Sequence, residues 1–118
     1  MSGNRALIVA AVIVVFVVAG GILIYATRSH GGQNVTINLT VTGGTKMNPP
    51  DSTAHQNDKV TINLTSDTDG EVHLHGYDIP FEARAGQTVS NTFTADKTGN
   101  FLIEWETTST ELGHLVVT

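Results

Sequence analysis

Apolar and polar residues alternate along most of the chain after residue 34. In the segment 35–41, valine, isoleucine and leucine occupy every second position and threonine or asparagine lies between them, and 59–66 repeats the pattern. A period of two residues predicts a strand with one buried face. Similar alternation predicts strands at 88–94, 101–106 and 112–117, and a short strand at 81–85. No helical period occurs within 35–118, so this part of the chain is predicted to be all-β.

Turn residues separate these segments every eight to twelve positions, which favours an antiparallel β-sandwich. Asp69-Gly70 is a strong hairpin signal between 59–66 and the strand that follows. The stretch 46–52, with Pro49-Pro50, is predicted to be an irregular connection or a poorly pairing edge. An immunoglobulin-type domain is disfavoured because the Cys…Trp…Cys spacing is absent. Periodicity alone does not choose between Greek-key topologies.

Before this region, residues 6–26 form an uncharged and almost wholly apolar run. A helix of this length measures roughly 31 Å, about the thickness of bilayer hydrocarbon. We therefore predict a single transmembrane anchor within 1–28, a linker at 29–34 and the β-sandwich at 35–118. The alternative is a signal peptide cleaved near Ala19-Gly20-Gly21, but the apolar run continues past that site.

The charged residues bear on orientation and on partners. Arg5 and Arg28 flank the apolar run almost symmetrically, but only a short tail precedes it, so we predict a domain on the extracytoplasmic side. All 11 acidic residues lie after residue 30, with only four of the six basic ones. This acidic balance argues against nucleic acid and anionic lipid headgroups as partners. An acidic, solubilising surface accounts for it.

Candidate chemistry centres on His73 and His75. They lie two positions apart on a predicted strand, so both imidazoles project from one side while Val72 and Leu74 project from the other. The chain contains no cysteine. Two imidazoles one strand repeat apart can reach a common point, which is how a protein without cysteine would start a metal site. Two histidines on a solvated strand face are the simpler interpretation.

Three segments, in this order, resemble the cupredoxins, the β-sandwich copper proteins. Residues 57–62 (NDKVTI) resemble the family's G-D-x-V-x-I/V start of a core strand, and 74–80 (LHGYDIP) resemble the I/L-H-S-F-x-I-P segment of the oxidase subunit II copper domain. Residues 98–117 resemble the last two strands, which carry a cysteine, a histidine and a methionine. The chain is also similar to cupredoxin-like domains with H-x-H-G-Y-D and a closing L-G-x-L-x-V pattern.

The resemblance implies a Greek-key sandwich in which His75 matches the first copper ligand. It also marks departures. Trp105 occupies the position of the family's ligand cysteine, and no histidine follows in 106–109. Glu111 falls at or near the position of the axial methionine. Blue and binuclear copper centres need a thiolate, so this chain can form neither.

The sequence leaves two functions open. In the first, His73 and His75 bind Cu(II) or Zn(II) for sequestration, delivery or sensing. The third ligand would come from a small set of carboxylates and one histidine: Glu111, His114, Asp78 or Glu106. In the second, the domain is a metal-free structural or docking module of a membrane complex, with Trp105 filling the lost copper site. We expect no enzyme, since no catalytic motif is present.

Overall fold

The computed structural model describes residues 32–118, and these form nine β-strands and no helix. The strands are β1 (Asn34–Thr42), β2 (Lys46–Asn48), β3 (Asp51–Ala54), β4 (Lys59–Ser66), β5 (Gly70–Leu74), β6 (Ile79–Ala83), β7 (Thr88–Thr94), β8 (Gly99–Trp105) and β9 (Thr110–Val117). The predicted membrane segment 6–26 lies outside the described residues. Within 32–118, no helix is long and apolar enough to cross a membrane.

The strands form two sheets, as the predicted sandwich requires. One sheet has four strands in the order β2-β1-β4-β7, and the other has five in the order β3-β9-β8-β5-β6. The expectation of a purely antiparallel sandwich is wrong for two pairs, since β1 pairs with β4 and β3 with β9 in parallel. Parallel neighbours need a crossover connection. Here the chain supplies one by leaving the four-stranded sheet to form β3 before it returns as β4.

The hairpin predicted at Asp69-Gly70 does not form. In the folded sheet β4 lies between β1 and β7, and the chain passes to the other sheet to begin β5. Side chains stabilise this crossing: Asp67 Oδ1 accepts a hydrogen bond from the Gly43 amide and Asp69 Oδ1 accepts one from the Ala85 amide, each at 2.8 Å. The bond from Gly43 is the main cause that lowers the pKa of Asp67.

Two other segments differ in detail from their predictions. The stretch 46–52 contributes to two short strands, β2 and β3, on either side of Pro49-Pro50, and each lies at the edge of its sheet. Proline cannot donate a ladder hydrogen bond, which is why the strands stop there. The strand predicted at 81–85 begins earlier, because Ile79 pairs with Leu74 to close a β5–β6 hairpin.

The core lies between the two sheets and contains the apolar half of each alternating segment. Among its members are Ile37, Leu39 and Val41 of β1, Val60, Ile62 and Leu64 of β4, Val72 and Leu74 of β5, Ile103 and Trp105 of β8, and Leu115 and Val117 of β9. Burial of these side chains drives the two faces together. It also directs the other half of each strand outward.

Candidate metal centre

Strand β5 and the first residue after it place His73 and His75 on the outer face of the five-stranded sheet. Val72 and Leu74 are completely buried, and alternation therefore places both imidazoles on the opposite face. The two ring centroids are 4.5 Å apart with the ring planes inclined by 54°. The prediction that the two histidines share a side is confirmed.

Glu106 is the third member of this cluster. His73, His75 and Glu106 each offer one ligand atom, and the three atoms lie within 4.8 Å of one another. Glu106 directly follows β8, and its amide donates to the Glu71 carbonyl at 2.8 Å, which holds it beside β5. Two imidazoles and one carboxylate are a donor set that suits Cu(II) or Zn(II). We call His73, His75 and Glu106 the histidine–carboxylate cluster.

The Nδ1 atom of His73 faces into this cluster without a hydrogen bond. It lies 3.3 Å from Glu106 Oε2, yet it has no hydrogen-bond partner among the described residues and is shielded from solvent. The His73 Nδ1 and Glu106 Oε2 atoms are close enough for an ion-pair contact, but their relative orientation does not make a hydrogen bond. A buried polar atom without a partner is costly and uncommon in native proteins. A metal ion would satisfy this nitrogen.

The Nε2 atom of each imidazole contacts a different carboxylate. His73 Nε2 lies 2.9 Å from Asp78 Oδ1, and His75 Nε2 lies 2.7 Å from Glu104 Oε1. Asp78, one of the expected third ligands, therefore contacts the nitrogen that faces away from Glu106. Glu104, for which the sequence predicted no role, contacts His75 directly.

The other expected ligands, Glu111 and His114, lie on β9, two strands away from β5. His114 faces outward, with its side chain 32% exposed. Its Nδ1 lies 3.3 Å from Asp51 Oδ1 and its Nε2 lies 3.4 Å from Glu111 Oε2. The structure thus brings Glu106 to the two histidines and leaves Glu111 and His114 in a separate contact with each other.

Trp105 does not lie beside His75. It pairs in register with Val72 and is only 3% exposed, so its indole points into the core while both histidines point outward. The backbone of Gly70 and of Gly44 approaches the indole so closely that a Cβ at either position would overlap it. Trp105 fills the core and not the volume next to the imidazoles. That the indole replaces a lost copper site stays a prediction.

The sequence indicated Glu106 only as one of several possible third ligands and no role for Glu104 at the site. Glu104 is paired with His73 across β5 and β8, and Glu106 follows two positions later on the same side of the strand. The alternation of acids around Trp105 was visible in the sequence. The register that places these acids next to β5 was not.

The chain matches no family model and no curated protein. Solved structures nevertheless share its fold. A haem-copper terminal oxidase dimer has a TM-score of 0.60 at 17% identity, over 77% of this chain and 68% of that one. A copper binding protein in its apo form has a TM-score of 0.59 at 14% identity, over 74% and 97%. A blue copper oxidase from Nitrosomonas europaea has a TM-score of 0.51 at 20% identity, over 72% and 39%. At these identities the similarity concerns the fold.

Proposed function

We propose that this chain, whose described domain has a cupredoxin-like fold, binds Cu(II) or Zn(II) through His73, His75 and Glu106. The main support is the Nδ1 atom of His73, which is buried, unpaired and 3.3 Å from a Glu106 oxygen. A cation between them would pair with both groups. The role that we propose is sequestration, delivery or sensing of the metal.

The donor set favours metal holding over electron transfer of the blue-copper kind. Without cysteine, no thiolate can coordinate copper, and the remaining nitrogen and oxygen donors suit Cu(II) and Zn(II). For a given set of such ligands, Cu(II) is bound more tightly than Zn(II). The structural neighbours, which include a copper binding protein and a haem-copper oxidase, support a copper-related role. We propose a binding protein and not an enzyme.

The site is accessible enough to exchange its metal. The side chain of Glu106 is 38% exposed and that of His75 is 40% exposed, so water or a partner's ligand could complete the coordination. We further propose that residues 6–26 anchor the domain in a membrane, with the domain on the extracytoplasmic side. The length and apolarity of that run support this part of the proposal.

The test is calorimetric titration of the full-length protein, purified in mild detergent without a polyhistidine tag, with Cu(II) and with Zn(II). We expect one site of micromolar or tighter affinity for Cu(II), lost in His73→Ala and His75→Ala and weakened about tenfold or more in Glu106→Gln. His55→Gln is the matched control, since it removes an imidazole outside the cluster. Affinity weaker than micromolar, or equal in all four variants, would contradict the proposal.

A second candidate function is a metal-free docking module of a membrane complex. The observation in its favour is that the core closes around Trp105 without any metal, so the fold does not depend on one. The likeness to a domain of a terminal oxidase dimer points to the kind of complex concerned. Affinity capture through the intact chain tests this alternative: recovery of a defined membrane partner, together with no metal binding, would favour it.

A further inference from the structure

We infer that Asp78 and Glu104 are positioning residues of the histidine–carboxylate cluster: they hold His73 and His75 as Nε2–H tautomers, so that both imidazoles offer Nδ1 to the metal. This inference rests on the proposed function and deepens it. Neither carboxylate is a ligand in this arrangement. Each acts through the imidazole that it contacts.

The chemistry of the two contacts assigns the protons. A neutral imidazole carries one N–H and one lone pair, and an ionised carboxylate can only accept hydrogen bonds. The short contacts from His73 Nε2 to Asp78 and from His75 Nε2 to Glu104 therefore place the proton on Nε2 in both rings. The lone pair, which is what binds a metal, is left on Nδ1.

The surroundings of His73 Nδ1 provide an independent argument. If this atom carried the proton, it would be expected to donate to Glu106, whose Oε2 is 3.3 Å away. The geometry of that contact does not make a hydrogen bond, and Nδ1 has no other partner within residues 32–118. An unprotonated Nδ1 and a carboxylate oxygen at this distance have the arrangement expected of two ligands that bind one cation between them.

Asp78 combines an uncommon backbone conformation with an exposed carboxylate that contacts His73. Asp78 has a φ of 60°, in the left-handed region, which glycine adopts without a steric penalty and aspartate adopts more readily than most other residues. Its side chain is 91% exposed, so packing does not account for the residue. The contact with His73 Nε2 does. Strain of this kind often persists at functional sites.

Glu104 occupies a more enclosed position. Its side chain is 17% exposed, and its neighbours in register are His73 on β5 and Glu111 on β9. From there it reaches His75, two residues along from its own partner in the sheet. A carboxylate that accepts the second N–H of a metal-binding imidazole orients the ring and makes it a stronger ligand. The two carboxylates thus fix the tautomers of two imidazole rings, each of which could otherwise carry its proton on either nitrogen.

The tautomers can be measured in the metal-free protein. Long-range ¹H–¹⁵N NMR on full-length protein labelled at histidine distinguishes the two neutral forms, and His73→Gln and His75→Gln assign the signals. We expect the neutral form of both rings to be Nε2–H. In Asp78→Gly the His73 signal should shift toward a mixture while His75 is unchanged. A neutral Nδ1–H form of either ring in the wild-type protein would overturn the inference, whether or not any metal binds.

Affinity and stability together separate positioning from a merely structural role. We expect Asp78→Gly and Glu104→Ala each to weaken Zn(II) binding about 10- to 100-fold. Asp78→Gly should nevertheless unfold at the same or a higher urea concentration, because it relieves the left-handed backbone. Asp78→Asn and Glu104→Gln keep an acceptor oxygen and should restore part of the affinity. Glu82→Gln, which removes a charge from the same face without touching the cluster, should leave affinity within about twofold.

The outcomes distinguish this inference from the proposed function. If the wild-type protein binds Zn(II) but Asp78→Gly and Glu104→Ala bind it equally well, the inference fails and the proposed metal binding stands. If the wild-type protein binds no metal, the proposed function fails, and the tautomers of the metal-free protein still decide the inference. With Zn(II) bound, the coordinated nitrogen should be Nδ1 in both rings, and coordination through Nε2 would contradict the assignment.

Discussion

At the scale of single residues, Asp58 shows how the segment 57–62, which resembles a cupredoxin motif, fixes the start of β4. It is 1% exposed, and its two carboxylate oxygens accept hydrogen bonds from the amides of Gln33, at 3.1 Å, and His55, at 2.8 Å. The residue before it, Asn57, has a φ of 73°, in the left-handed region that glycine occupies most easily. Asparagine tolerates this region better than most residues. Asparagine can therefore stand where the G-D-x-V pattern has glycine and still adopt the left-handed backbone before β4.

Tyr77 is the second residue whose environment has a measurable consequence. Its ring packs against Phe93 and Phe101, with centroid distances of 5.0 and 4.8 Å. Its hydroxyl donates to the Lys97 carbonyl and accepts from the Lys97 amide at 3.1 Å. Burial raises the pKa of the Tyr77 hydroxyl above its ordinary value of 10.0, although the bond from the Lys97 amide opposes this.

The raised pKa predicts how Tyr77→Phe should behave with pH. Because the folded state holds the phenolic proton more tightly than the unfolded chain, the contribution of Tyr77 to stability is complete below about pH 10 and is lost as pH rises through the folded pKa. We expect the variant to be less stable by about 0.5–1 kcal/mol at pH 7. Urea unfolding between pH 7 and 11 should show this difference shrinking above about pH 10. A difference that stays constant or grows would contradict the assignment.

At the scale of elements, the β5–β6 hairpin carries His73 and His75, and contacts with other strands hold its loop in place. Leu74 pairs with Ile79, so residues 75–78 form the loop. Gly76, in the middle of it, has a φ of 84°, and a Cβ there would overlap the ring of Phe101. Lys97 also reaches this loop and donates from Nζ to the Gly76 carbonyl at 2.8 Å. The loop is thus held tightly between His75 and Asp78.

Two glycine substitutions test this tightness. Gly76→Ala combines a left-handed backbone with a clash against an aromatic ring, and we expect it to lower the free energy of unfolding by more than about 2 kcal/mol. Gly86→Ala is the matched control: its φ is 79°, but nothing lies within 4 Å of its added Cβ, so only the backbone strain of about 1 kcal/mol remains. Denaturant unfolding of both variants measures the difference. Equal losses would show that Phe101 does not restrict the loop.

Strand β9 provides a separate prediction about ligand choice. Glu111 and His114 contact each other there, two strands from β5, although the sequence indicated both as possible ligands. We therefore expect Glu111→Gln and His114→Gln to leave the Cu(II) affinity within about twofold of the wild-type value. Competition titration with a chromogenic chelator measures this. A loss comparable to that of Glu106→Gln would mean that β9 contributes to the site after all.

At the scale of the whole molecule, the two outer faces differ in chemistry. The four-stranded sheet carries an uncharged ladder of hydroxyl and amide side chains, with contacts of 2.9 Å between Thr61 and Thr92, between Asn63 and Asn38, and between Thr65 and Thr88. The strands of the five-stranded sheet contain no lysine or arginine, and they direct their carboxylates and histidines outward. A cation would therefore be attracted to the face that carries the histidine–carboxylate cluster.

Metal binding should stabilise the entire domain, because the cluster joins β5 to the end of β8. A ligand that binds only the folded state adds about 2.7 kcal/mol of stability when its free concentration is 100 times Kd. We expect Zn(II) at that concentration to raise the melting temperature by roughly ten degrees or more, since the folded unit is small. Thermal unfolding followed by circular dichroism measures the shift. His73→Ala should abolish it, and a shift that persists in this variant would place the metal elsewhere.

Much of the fold was readable from local pattern. Residues such as Ile37, Ile62 and Ile103 are buried where alternation predicted, and His73 and His75 do share a side. The errors concern pairing: the Asp69-Gly70 turn joins two sheets and not two neighbouring strands. Turn chemistry describes how the chain bends, whereas the partner of the next strand depends on which sheet edges are still open.

The sequence by itself determined which side chains share a face, because alternation is a property of each strand on its own. It also determined that no thiolate copper centre can exist, because that depends only on composition. Only the tertiary structure decided that Glu106 and not Glu111 lies beside the imidazoles, and that Asp78 and Glu104 contact their Nε2 atoms. Those neighbours depend on register and strand order, which result from packing two sheets around one core.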